Sequence, residues 1–246
     1  MEILGALIAG GFIGAVLGFI GAGGAMLSVP ILIYGFNFSP AHATTAALAI
    51  VFSAAVSGLF SKFRSKDVLI KESLVIWSLG LVTNLGGSWV AHRLPDSFIT
   101  TGFALVLIAA ATSMLFRQVG GSEKKIPAIA LIAMSLTIGL ITGLFGIGGG
   151  FLAIPVLVLY FGTPPAIAAG TSLLIIALNS SISFLGHHAL WETVDWHIPI
   201  FMGAAAVVVA QFASHYSSKT PQDVLRKAFA YLLLAISVFT IAQTWI

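Results

Sequence analysis

Long apolar stretches and short polar interruptions alternate along the whole chain. The apolar stretches cover roughly 3–36, 41–61, 68–91, 97–116, 127–162, 166–187, 194–216 and 224–246. Between them stand Asn37 to Pro40, Lys62 to Asp67, His92 to Asp96, Arg117 to Lys125, Thr163 to Pro165, His187 to Glu192 and Ser217 to Gln222. About 20 apolar residues carry a helix across a bilayer, so six of the eight stretches predict one crossing each. The first and fifth are too long, since more than 30 residues would make one straight helix of roughly 50 Å. Each of these two holds a glycine cluster near its middle. Each therefore predicts two arms, divided at Gly21–Gly24 and at Gly146–Gly150.

The two clusters belong to one duplicated motif. Positions 14–32 read GAVLGFIGAGGAMLSVPIL and positions 139–157, offset by 125, read GLITGLFGIGGGFLAIPVL. Eight of the 19 paired positions are identical, and five of those eight are glycine. Pro40-Ala41 matches Pro165-Ala166 in the same register, and Phe103-Ala104 matches Phe229-Ala230 after a shift of one residue. The chain thus reads as a first membrane repeat, 1–120, and a second, 121–246, forming together one transport domain. Paired, interrupted hydrophobic segments in corresponding halves point to a transporter's binding site.

Loop charge orients the repeats. Lys62, Arg64, Lys66 and Lys71 crowd one loop of the first half, whereas its counterpart, His187 to Trp196, has no Lys or Arg. The next loop has only Arg93 in the first half but Lys219, Arg226 and Lys227 in the second. The positive-inside rule puts loops 62–71, 117–125 and 219–227 on the cytoplasmic side. Corresponding loops then lie on opposite faces, which makes the repeats inverted and puts both termini outside. Each glycine-broken segment is a re-entrant hairpin or a double crossing; its short second arm favours the hairpin. The alternative is a parallel repeat with each long stretch kinked but crossing once. The expected fold class is an all-α polytopic membrane protein of the cell membrane. Its two inverted repeats each hold a glycine-broken helix or hairpin followed by three transmembrane helices.

Composition supports lipid as the solvent. The chain is 59% hydrophobic and 8% charged, against about 25% charged in soluble domains, and its mean hydropathy is +1.07. The net charge of +3 comes from 11 basic residues scattered over loops, which form no nucleic-acid patch. With no cysteine there is no disulfide framework and no thiolate chemistry. The N-terminal run lacks a basic n-region and a clear cleavage site, and reads as a membrane segment rather than a signal peptide.

Several glycines close together break a helix and leave backbone N–H groups at the start of the next arm. The helix dipole adds partial positive charge there, which suits an anion. Gly14-x-x-x-Gly18 and Gly139-x-x-x-Gly143 read instead as close helix packing. All eight carboxylates fall in loops or at segment ends, whereas a cation pathway usually shows an intramembrane Asp or Glu. The expected anion site takes backbone donors from Gly21, Gly23, Gly24, Gly146, Gly148, Gly149 and Gly150. Thr44, Thr45, Thr171, Ser172 and Asn179, just beyond the broken segments, complete it, and Asn84 and Gln211 are further amide donors. His42, His187, His188 and His197 are candidate proton carriers, though their scatter suits ordinary loop-end histidines. The spacing of His187, His188 and Glu192 is no recognised zinc motif, so no metal or cofactor is expected. No nucleophile–base pair is evident, and an enzyme is not expected.

The duplicated Gly-x-x-x-Gly-x-x-Gly-x-Gly-Gly, followed by Pro30 or Pro155, a Pro-Ala pair and a Thr/Ser-rich helix start, resembles the TauE/SafE-type sulfite exporter and organosulfonate permease family over nearly the whole chain. Ala25 departs from the second copy's Gly150. The resemblance implies secondary transport of sulfite, thiosulfate or organosulfonates by alternating access, with a coupling ion such as a proton. An anion channel of the same architecture is the alternative.

Overall fold

The structure is a computed structural model that describes residues 2–91, 95–116, 127–145 and 152–245. Among these residues the chain is helical throughout, in ten α-helices joined by turns. Helix α1 (Glu2–Ile20) ends at a turn where Gly21 and Gly23 take φ angles of 80° and 87°. Those left-handed angles strain any residue with a Cβ, which is why glycine stands there. Helix α2 (Gly24–Pro30) follows and widens into a π-helical turn, Ile31–Gly35. Pro30 at that junction has no N–H for the preceding turn, which favours a local change of pitch. Helix α3 (Pro40–Arg64) starts with proline in its first turn, while Ser39 Oγ accepts the His42 N–H at 3.4 Å.

The chain continues through α4 (Ile70–Ala91), α5 (Asp96–Phe116), α6 (Ala128–Phe145), α7 (Ala153–Phe161), α8 (Pro165–Gly186), α9 (His197–Ser217) and α10 (Gln222–Trp245). Five described helices are long and apolar enough to cross a membrane: α1, α3, α8, α9 and the Gln222–Ala242 part of α10. The second glycine cluster, Gly146–Gly150, and the expected join at Gly120–Gly121 lie outside the described residues.

One of the closest helix contacts among the described residues joins the first helix to the second half of the chain. Gly10, Gly14 and Gly18 are spaced four apart on α1 and form a smooth ridge. A Cβ at each would run into the backbone of Met202, Ala206 and Ala210 on α9. The matched increments show that α1 and α9 run parallel. Helices α4 and α6 meet in the same way, with Gly139 set against the backbone of Gly80. In lipid, such close approach replaces the hydrophobic force that would hold helices together in water.

Directions of the other helices follow from their cross-links. Ser57 Oγ donates to the Val207 carbonyl at 2.7 Å, and Ser214 Oγ to the Gly58 carbonyl at 2.7 Å. Helix α3 therefore runs parallel to α9, and so to α1. The segment between α1 and α3 must double back. It does: the Phe36 ring lies 3.7 Å from where a Cβ on Gly5 would sit. Helix α8 runs antiparallel to α3, with Thr45 beside His187 at one end and Gly58 beside Leu173 at the other.

Sequence punctuation ends the third helical segment near Ser61, but α3 continues to Arg64 and buries Lys62 completely. Its ammonium donates to Ser217 Oγ at 3.2 Å and Ser218 Oγ at 3.1 Å, with Asp67 Oδ2 at 3.8 Å. The α3–α4 turn then packs on α8. Leu69 N–H donates to Thr171 Oγ1 at 3.1 Å, and Gly170 leaves room for the Asp67 carbonyl. Among the described residues this end of the bundle is closely packed.

Two stability tests follow. Gly14→Ala is expected to lower the melting temperature of the purified protein, at a cost of about 2 kcal/mol or more for overpacking. Gly11→Ala on the same helix meets only the Val209 side chain at 3.8 Å and should melt like the wild type. Lys62→Met should cost on the order of 3 kcal/mol by leaving the Asp67 carboxylate unpaired. Adding Asp67→Asn should recover part of that loss, read as melting temperature of single and double variants.

Candidate functional site

A cavity of about 660 Å³ lies where the two halves of the chain meet. Met26, Val29 and Pro30 of α2, Thr44, Ala47 and Leu48 of α3, and Leu81 and Asn84 of α4 form one part of its wall. Thr142 of α6, Asn179, Ile182 and Ser183 of α8, His187 just past α8, and Ile236, Phe239 and Thr240 of α10 form most of the rest, with Phe103 of α5. The cavity extends from the middle of the helices, at Asn84 and Asn179, to the bundle end where Thr44 and His187 lie. It is thus remote from the end closed around Lys62. No Asp, Glu, Lys or Arg lines it among the described residues.

The deep end of the cavity carries unused hydrogen-bond donors. A void of about 10 Å³ adjoins it, walled by Trp77, Asn84, Thr142 and Asn179 among others, with room for one water-sized group. Hydroxyls elsewhere in these helices donate back to the carbonyl four residues earlier. Thr44, Ser53, Ser135 and Thr137 all do so, at 2.8, 2.7, 2.6 and 2.8 Å. Thr142 does not. It is 3% exposed, and its Oγ1 has no partner among the described residues. Trp77 Nε1 is likewise buried without a partner among them. A buried donor left unpaired costs about 1–3 kcal/mol, and both of these residues line the same small void. The amides of Asn84 and Asn179 stand beside them and can each donate two protons.

The structure brings together three of the sequence-derived site residues, Thr44, Asn84 and Asn179. Thr45 stands one layer behind, fully buried, its Oγ1 2.9 Å from His187 Nδ1. Gly21, Gly23 and Gly24 are buried at the hairpin tip and absent from the cavity wall. Gly21 packs on the Ala169 backbone, and Gly24 sits between Leu17 and Val51. Thr171 and Ser172 are buried toward the closed end, where Thr171 holds the α3–α4 turn. Gln211 is exposed on α9, away from the cavity. Gly146, Gly148, Gly149 and Gly150 lie outside the described residues.

Trp77, Thr142, Ser183 and Thr240 are wall residues that were not in the sequence-derived set, and His187, a candidate proton carrier from the sequence, joins them. Trp77 stands two turns into α4. A signal was available for Thr142: it follows Gly139 by three residues, on the helical face that reaches across to α4.

Comparison with known proteins agrees with this architecture. A family profile described as sulfite exporter TauE/SafE matches residues 6–240. A protein of Xylella fastidiosa called a probable membrane transporter protein is 24% identical, over 96% of this chain and 94% of its own length. A probable membrane transporter protein of Methanocaldococcus jannaschii is 28% identical, over 94% of this chain and 91% of its own. A third relative, the probable membrane transporter protein YunE of Bacillus subtilis, is 25% identical over 72% and 77%. With the profile spanning nearly all of its helices, this chain is a member of the sulfite exporter TauE/SafE family of membrane transporters.

Proposed function

We propose that this protein is a secondary transporter of small sulfur-containing anions, among them sulfite, thiosulfate or organosulfonates. One observation carries the reading: the deep end of a cavity between the two halves offers donors without partners and no charged side chain. Trp77 Nε1–H, Thr142 Oγ1–H and the amides of Asn84 and Asn179 form a site of dipoles. Dipoles stabilise an oxyanion without the deep trap of a buried arginine, so binding stays compatible with release. The apolar wall formed by Met26, Leu48, Leu81 and Phe239 accommodates the organic part of a sulfonate.

The mechanism proposed is alternating access between two inverted repeats. The pairing of α1 with α9 and of α6 with α4 supports it, because each helix of one half packs on the corresponding partner from the other. The antiparallel course of α3 and α8, which occupy corresponding places in the two halves, supports inversion directly. A cavity open at one end and sealed at the other suits one state of such a cycle better than a continuous channel. The sealed end carries Lys62, Arg64, Lys66, Lys219 and Lys227 nearby, and the open end carries Glu192 and Asp195. By the positive-inside rule the cavity of this state faces away from the cytoplasm, and both chain ends do too. The arm formed by α2 and its π-helical turn is short of a second crossing, and Met26, Val29 and Pro30 form its contribution to the site.

The site is tested by melting-temperature shifts of purified protein with sulfite, thiosulfate and methanesulfonate. The wild type should be stabilised by at least one of them. Thr142→Val removes a single donor at nearly constant volume and should weaken that probe about tenfold or more, the worth of one hydrogen bond to an anion. Thr171→Val, near the closed end, should leave its affinity unchanged. Equal affinity in Thr142→Val and the wild type would sink the site. Topology is tested separately, since the natural chain has no cysteine to mask. A cysteine placed at Glu192 should react with an impermeant maleimide added outside intact cells, and one at Lys66 only after permeabilisation.

A further inference from the structure

We propose that His187 is the proton-binding site that couples a proton to the anion, an assignment that rests on the anion transport proposed above. Thr45 fixes the imidazole. Its Oγ1 lies 2.8 Å from the Ala41 carbonyl oxygen and 2.9 Å from His187 Nδ1. The hydroxyl has one proton to give, and the carbonyl can only accept. Two oxygens so close with no proton between them would repel, so the Thr45 proton points at Ala41. Nδ1 must then carry its own proton and donate it to Thr45. In a neutral imidazole this leaves Nε2 as the bare nitrogen, and no described residue hydrogen-bonds it. A proton taken from water at Nε2 makes His187 a cation in the cavity wall.

The surroundings leave that charge to the guest. On α3, His42 has its Nε2 engaged with Thr193 Oγ1 at 3.2 Å. His188 has its Nδ1 against the Leu185 carbonyl at 3.2 Å. Glu192 and Asp195 are exposed in the following loop, and Asp195 accepts the His197 N–H at 3.0 Å. Helices α2, α4, α5, α6 and α10 bring no titratable side chain to the cavity among the described residues. His187 is the one titratable group on its described wall, and no carboxylate there competes for the imidazolium. An anion in the cavity therefore favours protonation of His187, and protonation favours the anion by the same factor. The pair crosses with one charge less than the anion alone.

The test uses full-length protein in proteoliposomes, with thiosulfate and methanesulfonate as probes. Both stay fully ionised from about pH 6 to about pH 8, so only the protein titrates across the range where histidine changes charge. His187→Asn keeps an N–H near the Nδ1 position for Thr45 but binds no proton. The wild type should bind its accepted probe on the order of tenfold more tightly at the lower pH. His187→Asn should bind equally at both, lose accumulation driven by a proton gradient, and still exchange labelled for unlabelled probe. His187→Gln reads the same way and guards against a folding defect in the first variant. Wild-type pH dependence or gradient-driven accumulation in either variant overturns the assignment. A wild type whose probe binding ignores pH overturns it too, while leaving anion transport standing. A wild type that binds neither probe overturns the anion reading itself.

Discussion

Helices in lipid have no water to drive them together, and the contact on which this bundle depends is a bare one between backbones. Gly10, Gly14 and Gly18 let α1 lie directly on Met202, Ala206 and Ala210 of α9. That contact ties the start of the chain to its second half, and the pairing of α4 with α6 ties the first half to the start of the second. Because each half lends a helix to the other, neither half closes a core by itself. The cavity exists where it does because α3 and α8 pass each other antiparallel between these two exchanged pairs.

Polar side chains follow one rule almost everywhere inside the bundle. A hydroxyl donates to its own helix, or across a short gap as Ser57 and Ser214 do. Such bonds remove the penalty of a polar group in hydrocarbon without creating a site. Thr142 and Trp77 depart from the rule at the same small void. Where most other donors are satisfied locally, these two stand out, and the anion site proposed above is placed on them.

Much of the fold was legible from the chain. Pro40, Pro165 and the polar clusters marked helix ends because proline and loop charge act locally. The long glycine-bearing stretches announced a divided segment because length alone forbade a single helix. Burial of individual polar residues was not legible in the same way. Thr44 and Thr171 look alike in sequence, each just past a Pro-Ala pair, yet Thr44 lines the cavity while Thr171 is buried against the α3–α4 turn. Gln211 offers an amide like that of Asn84, but the repeats are offset by 126 residues there rather than 125. The true counterpart of Asn84 is Ala210, the residue on which Gly18 packs. The charge of Lys62 suggested a loop, while its stem and three polar neighbours allowed burial.

Lys62 and His187 stand 125 residues apart, at corresponding places in the two repeats. One ties its end of the bundle together through an amino group held by Ser217, Ser218 and Asp67; the other stands beside Thr45 in the cavity wall. A transporter built from the two inverted halves proposed above would spend equal time in its two states if its ends were equivalent. These ends are not. Opening the Lys62 end means breaking a buried network, while closing the His187 end has no comparable network to gain. Under the alternating access proposed above, the empty protein is weighted toward the state seen here, and cargo contributes the energy that populates the other.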